Sequence, residues 1–251
     1  MIKSIIATAS LYLFLPLIAF SAPLKDFTAF PKDFTAKYKL YHNGLYVGES
    51  SRQLITNKDL LTFTSVTETA GLAAIFFSIT INETSQLQLK NKKLNFISYL
   101  YEEKKKDKNE TYQINLDKPQ QIYNSHTKKH YPLTADLQDT LGFTVAIMHD
   151  MQQGMREIKY TIAEKDKLKT YTLRFIKEEK LPINNGAINT IKMEHYDPQS
   201  NFRFTFWCAE SMGFLPIRIQ NINHKGDVNL FNLSHFNEQA IYLNLEDENS
   251  N

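Results

Sequence analysis

The side chains able to do chemistry in this sequence are few and scattered. His126 and His130 stand four apart in HTKKH, a spacing that brings two imidazoles onto one metal ion when the segment is helical. Here the segment runs into Tyr131-Pro132, and a residue before proline is driven out of helical backbone, so the stretch reads as extended and the two rings diverge. Lys128 and Lys129 between them would also repel a cation. His149-Asp150 joins a base to a carboxylate late in an apolar periodic segment, where the negative end of a helix dipole favours a histidine. His195 lies in a strand pattern two residues before Asp197-Pro198 and reads as a half-exposed strand residue. Cys208, the one cysteine, sits in a strand between Trp207 and Ala209 and reads as a buried structural thiol rather than a nucleophile. No phosphate loop, dinucleotide fingerprint, nucleophile elbow or HExxH pattern is present. The expectation is a protein with no cofactor, no metal site and no catalytic constellation.

What the sequence offers instead is apolar surface. Gly71 to Ile81, GLAAIFFSITI, carries only Ser78 and Thr80 as polar side chains. It can be ordinary core, or an apolar flap at the mouth of a barrel that touches a lipid or acyl chain. On the second reading the ligand-contacting residues are Leu72, Ile75, Phe76 and Phe77 of the flap, with Phe206 and Trp207 from a strand facing it. Apolar area removed from water is worth about 25 cal/mol per Å², so such a site gains affinity without any reactive group. Seventeen phenylalanines and thirteen tyrosines suit a barrel core and a lipid pocket equally.

The elements that must position these residues are mostly strands. Asn201 to Gln220 contains the single tryptophan and the single cysteine, and reads as a strand, a turn at Glu210-Ser211-Met212-Gly213, and a second strand broken at Pro216. Period-two alternation puts Phe202, Phe204 and Phe206 on one face, with Arg203, Thr205 and Trp207 on the other. Upstream, Asn43-Gly44 is a two-residue hairpin signal, because a type I′ turn needs positive φ at both central positions. Gly48 inside the return strand marks a bulge or the close approach of another backbone. Glu102 to Lys108, EEKKKDK, reads as a solvated hairpin tip. One helix is predicted from about Thr134–Asp136 to Gly154, its apolar stripe formed by Leu137, Leu141, Val145, Met148 and Met151 and lying across one face or an open end of the sheet. The fold class is therefore mainly β: a single curved antiparallel meander, barrel or half-barrel, of about a dozen strands with one long helix.

The N-terminus reads as an address. Lys3, the apolar run from Ile5 to Phe20, and small residues at Ala19 and Ser21 form a cleavable signal peptide, residues 1–21, cut before Ala22 or Pro23. No cysteine stands near the cut to take a lipid. Residues 22–33 are an extended lead-in that repeats KDFTA, 34–245 a single β-rich domain, and 246–251 a disordered acidic tail. A formal net charge of +2 provides no strong field for nucleic acid, and the run is short for an integral membrane span.

These features, in order, resemble a known family. Tyr38-x-Leu40-x-x-Asn43-Gly44-x-x-x-Gly48, then Asp139-x-Leu141 opening the helix, then Gly186 before a strand ending in an aromatic, then Trp207-x-Ala209 and Gly213-Phe214-Leu215-Pro216, look like the bacterial exported family called domain of unknown function 3108. The resemblance runs from about Phe34 to Ile219. It implies a β-rich exported domain in the envelope of Gram-negative bacteria and brings no catalytic residues. Cys208 departs from it, standing where an aliphatic residue is expected. The predicted role is a periplasmic, non-enzymatic binder of a hydrophobic ligand or lipidated envelope component, in outline like the half-barrel carriers of lipoproteins. The alternative is a structural or protein-interaction module of the envelope.

Overall fold

A computed structural model describes residues 32–183, 186–237, 239–241 and 243. The expected signal peptide, most of the lead-in and the acidic tail lie outside the described residues. Sixteen strands are present among the described residues, more than the dozen expected. The first eight are β1 (Phe34–His42), β2 (Leu45–Asn57), β3 (Leu60–Thr69), β4 (Ile79–Lys90), β5 (Lys93–Lys105), β6 (Asn109–Lys118), β7 (Gln121–Asn124) and β8 (Lys129–Pro132). The rest are β9 (Leu137–Asp139), β10 (Glu157–Ala163), β11 (Leu168–Ile183), β12 (Gly186–Asp197), β13 (Phe202–Ala209), β14 (Leu215–Ile222), β15 (Val228–Phe236) and β16 (Gln239–Ala240). Helix α1 (Ala73–Phe76) follows β3, and helix α2 (Phe143–Gln152) follows β9.

All the strands belong to one sheet, ordered β8 to β1, then β15 down to β9, with β16 against β15. Neighbours pair antiparallel except at one edge, where β9 runs parallel to β10. The two edges, β8 and β9, are adjacent in sequence, separated only by residues 133–136. Five residue steps span at most about 18 Å, so the sheet must roll until its ends approach. They meet through side chains rather than a backbone ladder, and the sheet is not closed. Asn124 Nδ2 donates to Lys165 O at 3.0 Å, Tyr131 OH donates to Asp166 O at 3.4 Å, and Lys165 pairs with Glu110.

The predicted long helix is shorter than expected. Its first turn is a strand: Leu137, Gln138 and Asp139 pair with Thr161, Ile162 and Ala163 of β10. Asp139 then turns the chain, its Oδ1 accepting the backbone N–H groups of Leu141 and Gly142 at 2.9 and 2.7 Å. Helix α2 starts one residue later and runs for ten residues. Leu137, Leu141, Val145, Met148 and Met151 are all buried, as the stripe required, but so are Phe143, Thr144, Ala146, Ile147 and His149. A helix apolar all round belongs in a core. It packs against β9, β10 and β14, inside the rolled sheet.

The short-range signals behave as their chemistry demands. Asn43 and Gly44 take φ of 48° and 80° in the tight β1–β2 turn. A Cβ on Gly48 would come within 2.5 Å of the Glu68 carbonyl oxygen, so the close approach of β3 requires glycine there; the β1–β2 register also shifts beside it, between Leu40 and Tyr41. Tyr38 donates to the Pro216 carbonyl at 2.9 Å, tying β14 to β1; the strand is not broken at Pro216 as expected but runs through it from Leu215 to Ile222, with a register shift against β13.

Candidate functional site

The register sets a mouth and a base to the rolled sheet. The β1–β2 turn, α1, the β5–β6 tip and the β14–β15 turn share the mouth end: Asn43 N bonds Val228 O, Ala70 N bonds Val47 O, and Ile79 pairs with Lys105. The start of α2 points toward this end, where Phe143 packs edge-on against Phe206 with ring centroids 5.6 Å apart and against Phe204 at 5.7 Å. Between the start of α2 and the inner wall lies a cavity of about 390 Å³. Its apolar lining includes Leu40, Val47, Phe143, Phe204, Phe206 and Phe231. Alternation puts them there, since Leu40, Phe231, Ile219 and Phe206 are register partners in successive strands.

Polar side chains interrupt that wall, among them Arg52, Glu83, Thr140, Thr144, Asn221 and Asn229. Arg52 lies over Tyr38 and Phe231, its guanidinium carbon 5.0 and 5.4 Å from the two ring centroids. Its Nε is buried without a hydrogen-bond partner, and so is Asn221 Oδ1. Glu83 accepts from Tyr99 OH at 2.6 Å, and that hydroxyl accepts in turn from Thr140 Oγ1 at 3.0 Å. Burial raises the Glu83 pKa above the ordinary carboxylate value, with the Tyr99 hydrogen bond and the positive charge of Arg52 opposing. Behind Glu83, Ser85 Oγ donates to Asp139 Oδ2 at 2.5 Å. Asp139 is pushed up to about 6, first by burial, against its three hydrogen bonds, with the Glu83 charge adding to the rise. A Cβ on Gly142 would lie 2.3 Å from Ser85 Oγ and 2.7 Å from Asp139 Oδ2, so glycine is required where α2 begins.

A second hollow, about 1040 Å³, opens at the base beside the end of α2. Methionines 148, 151 and 212 line it, with charges of both signs from Arg156, Glu178, Glu179 and Lys180 around them. Lys32, Asp33 and Asn237 also border it, and these adjoin stretches outside the described residues.

The structure divides the expected ligand-binding residues into three groups. Phe206 lines the mouth cavity and is fully buried. Trp207 does not line it: on the opposite face of β13 its indole lies under Lys192, 4.6 Å from the ring centroid, and donates to Glu179 Oε1 at 2.5 Å. This corrects its assignment to the ligand wall, and the physical reason is the alternation that separates it from Phe206. Leu72, Ile75, Phe76 and Phe77, on α1 and immediately flanking it, are 64–76% exposed, so the 71–81 stretch is no core segment at its centre. The flap hangs at the mouth end and does not reach the cavity wall. Arg52 and Glu83 were missed, although the alternation of β2 and β4 signals both: Ser50, Arg52 and Leu54 share a face, as do Glu83, Ser85 and Leu87.

The reactive-looking groups are placed apart. His126 turns to Asp166 at 3.1 Å, whereas His130 bonds Asp117 at 2.8 Å. His149 is buried beside Asp150, which also accepts from Tyr160 OH at 2.7 Å. His195 Nδ1 meets the Thr172 backbone, and burial lowers its pKa. Burial pushes the Cys208 thiol far up, which keeps it protonated and unreactive.

Comparison with known proteins agrees with this architecture. The family described as "Protein of unknown function (DUF3108)" matches residues 34–231. No curated protein matches the chain. A crystal structure of a β-barrel-like protein of domain of unknown function DUF1849, from Brucella abortus, is similar over 84% of this chain and 98% of its own, with 12% identity and a TM-score of 0.52. At that identity the likeness shows the fold alone. A DUF1089 family protein from Pseudomonas aeruginosa is similar over 82% of this chain and 95% of its own, with 9% identity and a TM-score of 0.35, too low to support an argument.

Proposed function

The chain belongs to the DUF3108 family of proteins of unknown function, and from that premise we propose that it is an exported, non-enzymatic binder of a hydrophobic ligand in the cell envelope. The observation that supports this reading is the mouth cavity, walled by Phe143, Phe204, Phe206 and Phe231 and lying between α2 and the sheet. Its volume lies within the range of about 300–1,000 Å³ usual for small-molecule sites, and its few polar groups orient a ligand rather than attack one. The imidazoles and the thiol stand outside that wall, which argues for binding over catalysis. The exposed apolar side chains of α1 at the same end give an acyl chain a surface to cross on its way in. That exposure also favours the second reading, a module that docks an envelope protein through the flap.

The deciding experiment is native mass spectrometry of the chain purified from the periplasm of its host. The expected protein begins at Ala22 or Pro23 and carries an added mass that organic extraction identifies as a lipid or fatty acid. An empty protein that takes up neither fatty acids nor lipopeptides overturns the binder and leaves the docking module.

A further inference from the structure

We propose that Arg52 is the anchor for a carboxylate, and that the ligand of the mouth cavity is a fatty acid held head-first against it. The inference rests on the reading of that cavity as the ligand site, and adds the chemical class. Alternation along β2 turns Arg52 inward, and its register partners on either side, Ala36 and Ser65, are small enough to leave its long stem room. The guanidinium carbon lies within cation–π distance of both the Tyr38 and Phe231 rings, which suits a delocalised cation. Yet among the described residues it has no hydrogen bond and no ion pair, and Nε is buried. A buried Nε–H without an acceptor is costly unless something in the cavity takes it. A carboxylate matches that planar fork with two parallel hydrogen bonds, and the phenylalanine wall takes the acyl chain. Asn221 stands in the same wall with its amide oxygen unpartnered; turned over, the amide donates to the same head group. Thr140 stays committed to Tyr99.

Glu83 is the counter-charge in the same wall and opposes a second carboxylate. It bonds Tyr99 rather than Arg52, so it offsets the field of the guanidinium without occupying its donors. Its removal is therefore expected to tighten acid binding, where a purely structural role would predict only damage.

The test measures displacement of an environment-sensitive fluorophore by dodecanoate and by 1-dodecanol, on the full mature chain. The parent is expected to bind the acid more tightly than the alcohol. Arg52→Met should weaken the acid at least about tenfold, the scale of one charge-assisted hydrogen bond, and leave the alcohol within about threefold. Glu83→Gln should strengthen the acid alone. Equal losses for acid and alcohol in Arg52→Met, or no loss, overturn the anchor while sparing the cavity. A parent that binds neither probe overturns the cavity reading itself. Should Arg52→Met fail to fold, Arg52→Lys keeps the charge and removes the fork. A selective loss of acid then supports the anchor, and unchanged binding of both probes overturns it.

Discussion

At the scale of single residues, the inner wall holds more unsolvated polarity than a core of this kind needs, and Asp139 shows how that polarity is managed. Its carboxyl accepts two backbone N–H groups and the Ser85 hydroxyl, and burial still raises it to about 6 from an ordinary value of 3.8. A carboxyl raised on folding contributes stability that is fully present below its unfolded pKa and lost as pH rises through its folded one. The loss falls between about pH 4 and pH 6 and is on the order of 2–3 kcal/mol. Asp139→Asn imitates the protonated acid: its oxygen still accepts from Leu141 and Gly142, and its amide donates to Ser85. Urea midpoints taken from pH 4 to pH 7 should fall for the parent relative to the variant across that window. A constant difference would mean that Asp139 is charged throughout. The half-buried carboxylates of Glu110, Asp197 and Asp227, lowered by their partners, act in the opposite direction, and the subtraction removes them.

At the scale of elements, the flap and the helix separate what sequence reveals from what it hides. Strand identity, the Asn43-Gly44 turn, the Phe202–Phe204–Phe206 face and the tight approach at Gly48 rest on contacts within one strand or its neighbour, and alternation reads them directly. The strand at Leu137–Asp139 does not, because its partner β10 lies some twenty residues on and its apolar spacing equally suits a helical turn. Arg52 was hidden for another reason: an inward arginine only means something once the wall opposite it is known. The flap was ambiguous between core and surface, and the structure puts it on the surface. Phe76→Ser with Phe77→Ser should therefore leave the fold intact, changing stability by no more than about 0.5 kcal/mol, because neither ring fills a core site. Ligand occupancy in the native mass spectrum should fall in the same double variant. Unfolding of the pair would show that the rings pack in solution. Full occupancy with the fold intact would separate the flap from binding.

At the scale of the whole molecule, one sheet is rolled until its first and last edges face each other, and the seam is where such a design is weakest. No ladder crosses it, so each edge depends on side chains to hold the other. Asn124 carries most of that duty. It is 2% exposed, its amide donates to Lys165 O, and its Oδ1 accepts the backbone N–H groups of His126 and Thr127 at 2.9 and 3.3 Å. It thus shapes the β7–β8 turn and pins that turn to the β10–β11 turn at once. The Lys165–Glu110 pair crosses the same seam, but in water, where an ion pair contributes little. Asn124→Ala leaves partly buried backbone groups unpaired and should cost about 1–3 kcal/mol, whereas Lys165→Ala should be nearly silent. Hydrogen exchange tests where the energy goes. If the seam opens as a local unit, the variant should lose amide protection first in β7, β8 and the 164–167 turn, with β13 and β14 unchanged. Uniform loss across the sheet would mean that the rolled sheet unfolds as one body, and that its curvature, held by the core around α2, keeps the edges together without the seam.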